Sequence, residues 1–307
     1  MRILSIGNFS GRAWDGSITD ENHIANALEQ LGHEVIRQQR EDNNLNTGGT
    51  INTGQSDNVD FILIAQWDRY PENMVPDLKK TFKVPIVYWA FDYQADGQDW
   101  HEKLVVSSDL YLSKRIADSK YPGWQWLSQD YAPEFLRKAP YPNKDIDVLF
   151  TGSYLPWAKE RNETLKAVDE KFNLVIHSVN EWPGFKDVRP PILDEGLPGL
   201  YSRAKVILSI DHTIEAGYWS DRTAQIMCCG RRPLFRYVPL SEVRFRDCVD
   251  YFYNVDDCLK KIEERLVKDN PKKDQKSCKF GQRYLRTHNR VKDLLTIVNA
   301  YLNVRSV

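Results

Sequence analysis

The stretch QDYAPEFLRKAPYPNKDIDVLFTGS, residues 129–153, decides how the chain is organised. From Gln129 to Lys144 it sets Pro133, Pro140 and Pro142 among charged residues, the composition of an interdomain connector. From Ile146 to Thr151 it then restarts as a strand, with Gly152 and Ser153 as the turn that ends it.

The same alternation runs upstream. Residues 2–6 predict a buried strand, followed by a loop bearing Gly7, Gly11 and Gly16 and a helix from Asp20 to Leu31. Ile24, Ala27, Leu28 and Leu31 share one face of that helix, and Gly32 stops it. A short strand at 34–36 leads into an Asn/Thr/Gly-rich stretch, 42–58, that predicts a long loop, and further strands are expected at 60–64, 85–91 and 110–113. Downstream the pattern predicts a helix over 156–170, strands at 174–177 and 206–210, and helices at 220–230, 255–266 and 291–302. These apolar runs are continuous rather than alternating, which implies strands covered on both faces and hence parallel sheets. The fold expected is α/β, with two Rossmann-like domains facing a central cleft. Their bounds are 1–128 and 145–290, joined by a linker over 129–144, and a last helix within 291–307 can pack back on the first domain. The cleft is the default ligand site.

The totals narrow the function classes. Lys and Arg number 42 against 43 Asp and Glu, so a net charge of −1 gives no bulk pull toward nucleic acid or anionic membrane. Five cysteines without paired C-x-x-C spacing argue against a disulfide framework and a zinc site, and favour a reducing cytoplasm. The apolar run Ile3–Ile6 is too short for a signal-peptide core, and no stretch has the length needed to span a bilayer, so a soluble protein is expected. Among nine tryptophans, Trp67, Trp89, Trp157 and Trp219 fall at strand ends, where they meet ligands or simply pack in the core.

Several familiar signatures are absent. There is no G-x-G-x-x-G after the first strand, no G-x-x-x-x-G-K-[ST] and no G-x-S-x-G, so dinucleotide, P-loop and nucleophile-elbow chemistry have no support. Asp145 and Asp147 mimic a metal-binding Asp-x-Asp but precede their strand, whereas ligands gather at carboxyl ends; they read as a solvated strand entrance.

The segment SDRTAQIMCCG, 220–230, has the look of an anion site. Ser220 is placed as N-cap and Gly230 as stop, while Arg222 puts a cation at the helix start, where a ligand's negative charge would justify it. An ordinary capped helix with a solvated arginine accounts for the same residues. Glu215, Gly217, Tyr218 and Trp219 lead into that helix. Gly152 and Ser153 end a strand where a ligand can approach backbone, Lys159 and Arg161 lie within reach of a phosphate or simply face solvent, and His177 and Ser178 end the next strand beside a nucleotide base or a backbone partner.

The runs WLSQDYAPEFLRKAPYPNKDIDVLFTGSYLPWAKERNETL from Trp126, LYSRAKVILSI at 200–210 and SDRTAQIMCCGRRPLF at 220–235 together resemble the CgeB-like glycosyltransferases, relatives of the family 4 group with the GT-B fold. The resemblance covers most of residues 85–270. It implies a nucleoside diphosphate-sugar as donor, bound by the second domain, no required metal or other cofactor, and an acceptor presented by the first. It places Gly152 and Ser153 beside the donor phosphates and Ser220, Arg222 and Thr223 over the diphosphate. It sets Gln225 where relatives carry a ribose-binding glutamate, and Gly217 at the upstream glutamate; Glu215 is out of register.

On the acceptor side the candidates are Gly11, Arg12, Trp14, Asp15, Trp67, Asp68 and Asp92. Asp92 is the candidate general base of an inverting transfer, while a retaining one would rely on donor phosphate and positioning. Arg222 is the catalytic electrostatic group, with Lys159 or Arg161 in support. Lys272, Lys273, Lys276, Lys279, Arg283, Arg286 and Arg290, with Arg231, Arg232, Arg236, Arg244 and Arg246, form a basic C-terminal patch. Such a patch suits a DNA acceptor carrying a hydroxylated base, or is a solvated face balanced by acids such as Glu263 and Glu264. Because Gln225 and Gly217 depart from the family pattern, an inactive nucleotide-sugar-binding or scaffold protein is the alternative.

Overall fold

The computed structural model describes residues 1–11, 13, 16–39, 58–65, 74–91, 99–139 and 143–305. The chain divides into two units, residues 1–129 with 287–307, and residues 130–286.

The first unit contains β1 (Arg2–Gly7), α1 (Asp20–Gln30), β2 (Glu34–Gln39), β3 (Phe61–Ala65), α2 (Met74–Phe82), β4 (Ile86–Trp89), α3 (Asp99–Ser107), β5 (Leu110–Ser113) and β6 (Trp124–Trp126). Its sheet runs β2-β1-β3-β4-β5-β6 with every neighbouring pair parallel. β3 is FILIA with all five side chains buried, as a strand covered on both faces requires. α1 begins where it does because the Thr19 hydroxyl accepts the Asn22 N–H and Asp20 and Glu21 fill the first turn.

The second unit contains β7 (Ile146–Thr151), α4 (Lys159–Lys171), β8 (Leu174–His177), β9 (Val188–Arg189), α5 (Leu197–Arg203), β10 (Ala204–Ser209), α6 (Arg222–Cys228), β11 (Leu234–Arg236), α7 (Ser241–Phe245), β12 (Asp250–Phe252), α8 (Val255–Val267) and α9 (Pro271–Tyr284). The last helix, α10 (Thr287–Arg305), returns to the first unit and packs on α1, with Val291, Leu294 and Val298 fully buried. The second sheet runs β12-β11-β10-β7-β8-β9, again all parallel. Strand order therefore reverses between β7 and β10, making a topological switch point at their carboxyl ends. Phe150, Leu165, Ile176, Val206, Leu208 and Ile262 pack beneath it, each such burial contributing roughly 1.5–3 kcal/mol.

The expected α/β architecture with two parallel sheets is present. The expected helix over 220–230 is shorter. Asp221, not Ser220, is its N-cap, without a side-chain cap bond; the Ser220 N–H donates to Asp211 at 3.0 Å and its hydroxyl faces Arg222 Nη1 instead of a helix N–H. The Lys-rich stretch read as a charged face holds α9, started by Pro271 after an Asn270 side chain that accepts the Lys273 N–H. Residues 42–57 of the expected loop lie outside the described residues.

Asp145 pairs with Arg203 and Asp147 with Lys205 at 2.7 Å, and these hydrogen bonds hold both carboxyls below the usual range. They sit at the amino end of β7. Among the described residues no group of His, Cys, Asp or Glu is arranged to hold a metal, and no helix is long and apolar enough to cross a membrane. All five cysteines are free, four of them buried.

Candidate anion site at the carboxyl ends of β7 and β10

Arg222 opens α6 directly above the switch point. Its guanidinium donates from Nε to the Thr151 carbonyl at the end of β7 (2.6 Å) and from Nη1 to the Ile210 carbonyl just past β10 (3.2 Å). One side chain thus bridges the two strands whose order reverses. Ser220 Oγ accepts a longer bond from Nη1 (3.4 Å), and the Asp211 carboxylate stands 3.9 Å away with its Oδ2 buried and unpartnered. Arg222 remains 15% exposed, and its carbon centre lies 4.9 Å from the Phe150 ring centroid, a cation–π arrangement.

A second guanidinium joins it. Arg161, in the first turn of α4, donates to the Ser153 carbonyl at 2.8 Å and lies 5.9 Å from the Phe150 centroid and 5.7 Å from that of Trp182. It is only 4% exposed, and its Nε is buried without a partner. Burial, and then the neighbouring Arg222 charge, pull it down to about 10, so it stays cationic at neutral pH. Two like charges are therefore held by backbone carbonyls, and the Asp211 carboxylate lies 3.9 Å from one of them. Such a pair favours an incoming anion.

Gly152 is what lets them approach. A Cβ there would meet Arg222 Nη2 at 2.8 Å, and its φ is +149°. Its own N–H is taken by the His177 carbonyl (3.0 Å) and its carbonyl by the Trp182 indole N–H (3.2 Å), so the glycine makes room for the arginine and offers no free amide. Since α6 has only seven residues, the positive charge here is chiefly that of the guanidiniums and only weakly that of a helix dipole.

The other expected donor-side residues divide. Ser153 and Ser220 flank the arginines; Thr223 is buried, its hydroxyl 2.8 Å from that of Ser209, and anchors α6 to β10. Tyr218 is buried with its hydroxyl on His212 Nε2 (2.9 Å), and Trp219 is buried against Phe245, so both serve packing. Gln225 is engaged by Asp221 one turn earlier. Lys159 is exposed at the start of α4 and makes no ion pair among the described residues. His177 holds the Pro190 carbonyl through Nδ1 (2.6 Å), and burial lowers its pKa, leaving a neutral ring. Ser178 is spent on Asn180.

On the acceptor side only Gly11 is among the described residues; its N–H donates to Asn8 Oδ1 (3.1 Å) in a tight turn after β1. Arg12, Trp14, Asp15, Trp67, Asp68 and Asp92 lie outside the described residues. Sequence reasoning missed Asp211, Phe150, Ser209 and Tyr201, whose hydroxyl meets that of Thr151 at 3.1 Å. Asp211 was findable, as a carboxylate just past the end of a central strand. Of the strand-end tryptophans, Trp89 is core and Trp157 is 56% exposed, edge-on to His212.

The basic patch is largely used up internally. Arg231 pairs with Asp274, Arg232 with Asp250, Arg236 with Glu160, Arg244 with Asp130, Lys276 with Asp247 and Arg290 with Asp293. Arg286 is buried on the Pro133 and Leu136 carbonyls at 2.5 and 2.6 Å.

Two parallel six-stranded α/β units define the GT-B fold, and the solved structures similar to this chain are GT-B proteins. They include Anabaena Alr3699/HepE in complex with UDP (9% identity over 98% of this chain and 100% of that one, TM-score 0.64). T4 phage BGT in complex with its UDP-glucose substrate is another (12% identity, 97% and 99%, TM-score 0.59). A third is an alpha-glucosyltransferase in complex with UDP and a 13-mer DNA containing an HMU base (13% identity, 97% and 99%, TM-score 0.64). No family model matches the sequence, and no curated protein does.

Proposed function

We propose that this chain is a glycosyltransferase of the CgeB-like kind, transferring a hexose from a nucleoside diphosphate-sugar to an acceptor hydroxyl without a metal ion. The observation that carries the reading is the pair of guanidiniums, Arg222 and Arg161, at the switch point of the second sheet. The donor's diphosphate would lie against Arg222 Nη2, which makes no hydrogen bond among the described residues, and near the half-buried rim at Ser153 and Ser220. As the bond from the sugar's anomeric carbon to the phosphate oxygen breaks, negative charge grows on the leaving diphosphate, and preplaced cations lower that barrier. The acceptor oxygen forms the new glycosidic bond and gives up its proton to a base, for which Asp92 is the candidate. Five unpaired thiols fit work in a reducing cytoplasm.

The test is a panel of UDP-, GDP-, ADP- and dTDP-sugars, read both as thermal stabilisation and as free nucleotide released. One donor at about 100 times its Kd is expected to stabilise by about 2.7 kcal/mol, several degrees for a protein of this size. Arg222→Ala is expected to cut turnover roughly 10²–10³-fold while the fold persists. A panel in which no sugar nucleotide shifts the melting temperature would sink the proposal.

A second reading, a binding module without turnover, is favoured by one observation: Gln225 is already engaged by Asp221 and so is poorly placed to replace a charged ribose ligand. Stabilisation without nucleotide release would establish it. A hydroxylated base in DNA remains an acceptor to test with salt-dependent duplex binding, supported by the likeness to a glucosyltransferase in complex with DNA and weakened by the internal pairing of the basic patch.

A further inference from the structure

At the opposite, amino end of the second sheet lies a cavity of about 400 Å³, between the starts of β10 and β12, the last turns of α8 and the first turn of α9. β10 connects the two ends. Lys205 near its start lines the cavity, while Ile210 beyond its finish holds Arg222, roughly 15–20 Å away at strand spacing.

Three cations converge there on one carboxylate. Arg232 reaches Asp250 at 2.8 Å, Lys273 at 3.5 Å and Arg265 at 3.9 Å. The other neighbouring acids are committed or matched. Asp269 pairs with Lys144 and Asp274 with Arg231, while Glu264 stands one helical turn from Lys268, which makes no ion pair among the described residues. About two positive charges around Asp250 thus stay uncompensated. Arg265 Nη1 and Arg232 Nε are buried behind the lining without a hydrogen-bond partner, Arg265 Nη1 standing 3.9 Å from Asp250. An excess of positive charge beside a single carboxylate favours an incoming anion.

We propose that this cavity binds a small phosphorylated molecule carrying about two negative charges, at a site separate from the one at Arg222. The volume lies at the small end of the range for ligand pockets, which suits a compact phosphate compound over a polymer. Exposed Lys268 and Lys273 are its entrance charges, and Arg232 and Arg265, paired with Asp250, stand behind them.

Inorganic pyrophosphate titrated calorimetrically into the full chain tests this. Wild type is expected to show two saturable binding events. Lys268→Ala/Lys273→Ala should weaken one of them by about tenfold with the fold retained, since both side chains are exposed, and Arg222→Ala should weaken only the other. Pyrophosphate binding that is unchanged by the lysine substitutions, or that disappears altogether in Arg222→Ala, would overturn the second site.

Discussion

Arg222 illustrates how a residue's role follows from what holds it. A lysine in its place would carry the same charge, yet a single ammonium lacks the fork that spans carbonyls from two strands. Gly152 is the residue that this geometry depends on. In Gly152→Ala the new methyl would press on a guanidinium pinned at two points, and the backbone would be strained at φ +149°. A loss of roughly 1–3 kcal/mol in denaturant unfolding is expected, together with weaker donor binding. Gly199→Ala supplies the control. That glycine lies in α5 with open space where a Cβ would stand, so the change should be neutral or stabilising by up to about 1 kcal/mol. If both variants lose stability equally, Gly152 has no special tie to Arg222. In the sequence, Arg222 and Gly152 stand out because they follow predicted strands. Their mutual contact is not visible there, since 71 positions separate Arg222 from its Thr151 partner.

At the scale of elements, α6 is too short to be stable on its own and depends on what packs against it. α9 crosses it at Gly281, where a Cβ would come within 2.9 Å of Met227 Cβ and 3.0 Å of the Cys228 backbone nitrogen. Gly281→Ala should therefore push α6 and the arginine it carries, costing about 1–3 kcal/mol by overpacking and raising the KM for donor more than it lowers kcat. An unchanged KM in a destabilised protein would show that α6 is positioned by β10 alone. Elements differ in how legible they are in the sequence. β3, β5, β7 and β8 announce themselves as continuous apolar runs, and α1 and α8 as apolar stripes with caps. β6, β9, β11 and β12 have only two or three residues each, too few to show a period. α9 escapes notice because the residues it buries, Asp274, Ser277 and Gly281, are polar or small and draw no apolar stripe.

For the whole molecule, the division into units is not a simple cut of the chain. The second unit is one continuous stretch, 130–286, whereas the first is closed by residues that come last. The two ends of the second unit are tied, the Ala132 N–H bonding to the Leu285 carbonyl at 2.8 Å. Deleting 287–307 would remove Val291, Leu294, Leu295 and Val298 from their burial, on the order of 6–12 kcal/mol of lost transfer energy before the entropy of ordering the helix is counted. Scanning calorimetry of the truncated chain should show the first unit's transition lost or strongly lowered and the second's retained. A melting profile like that of the full chain would mean that α10 contributes little.

The late arrival of α10 bears on how the protein is made. As a ribosome delivers the chain, residues 1–129 emerge before residues 130–286, but the face of α1 that α10 covers stays bare until this nineteen-residue helix has been synthesised. Residues 130–286 form one continuous stretch that is complete before that moment, so the unit encoded second is able to mature ahead of the one encoded before it, whose α1 face waits for α10.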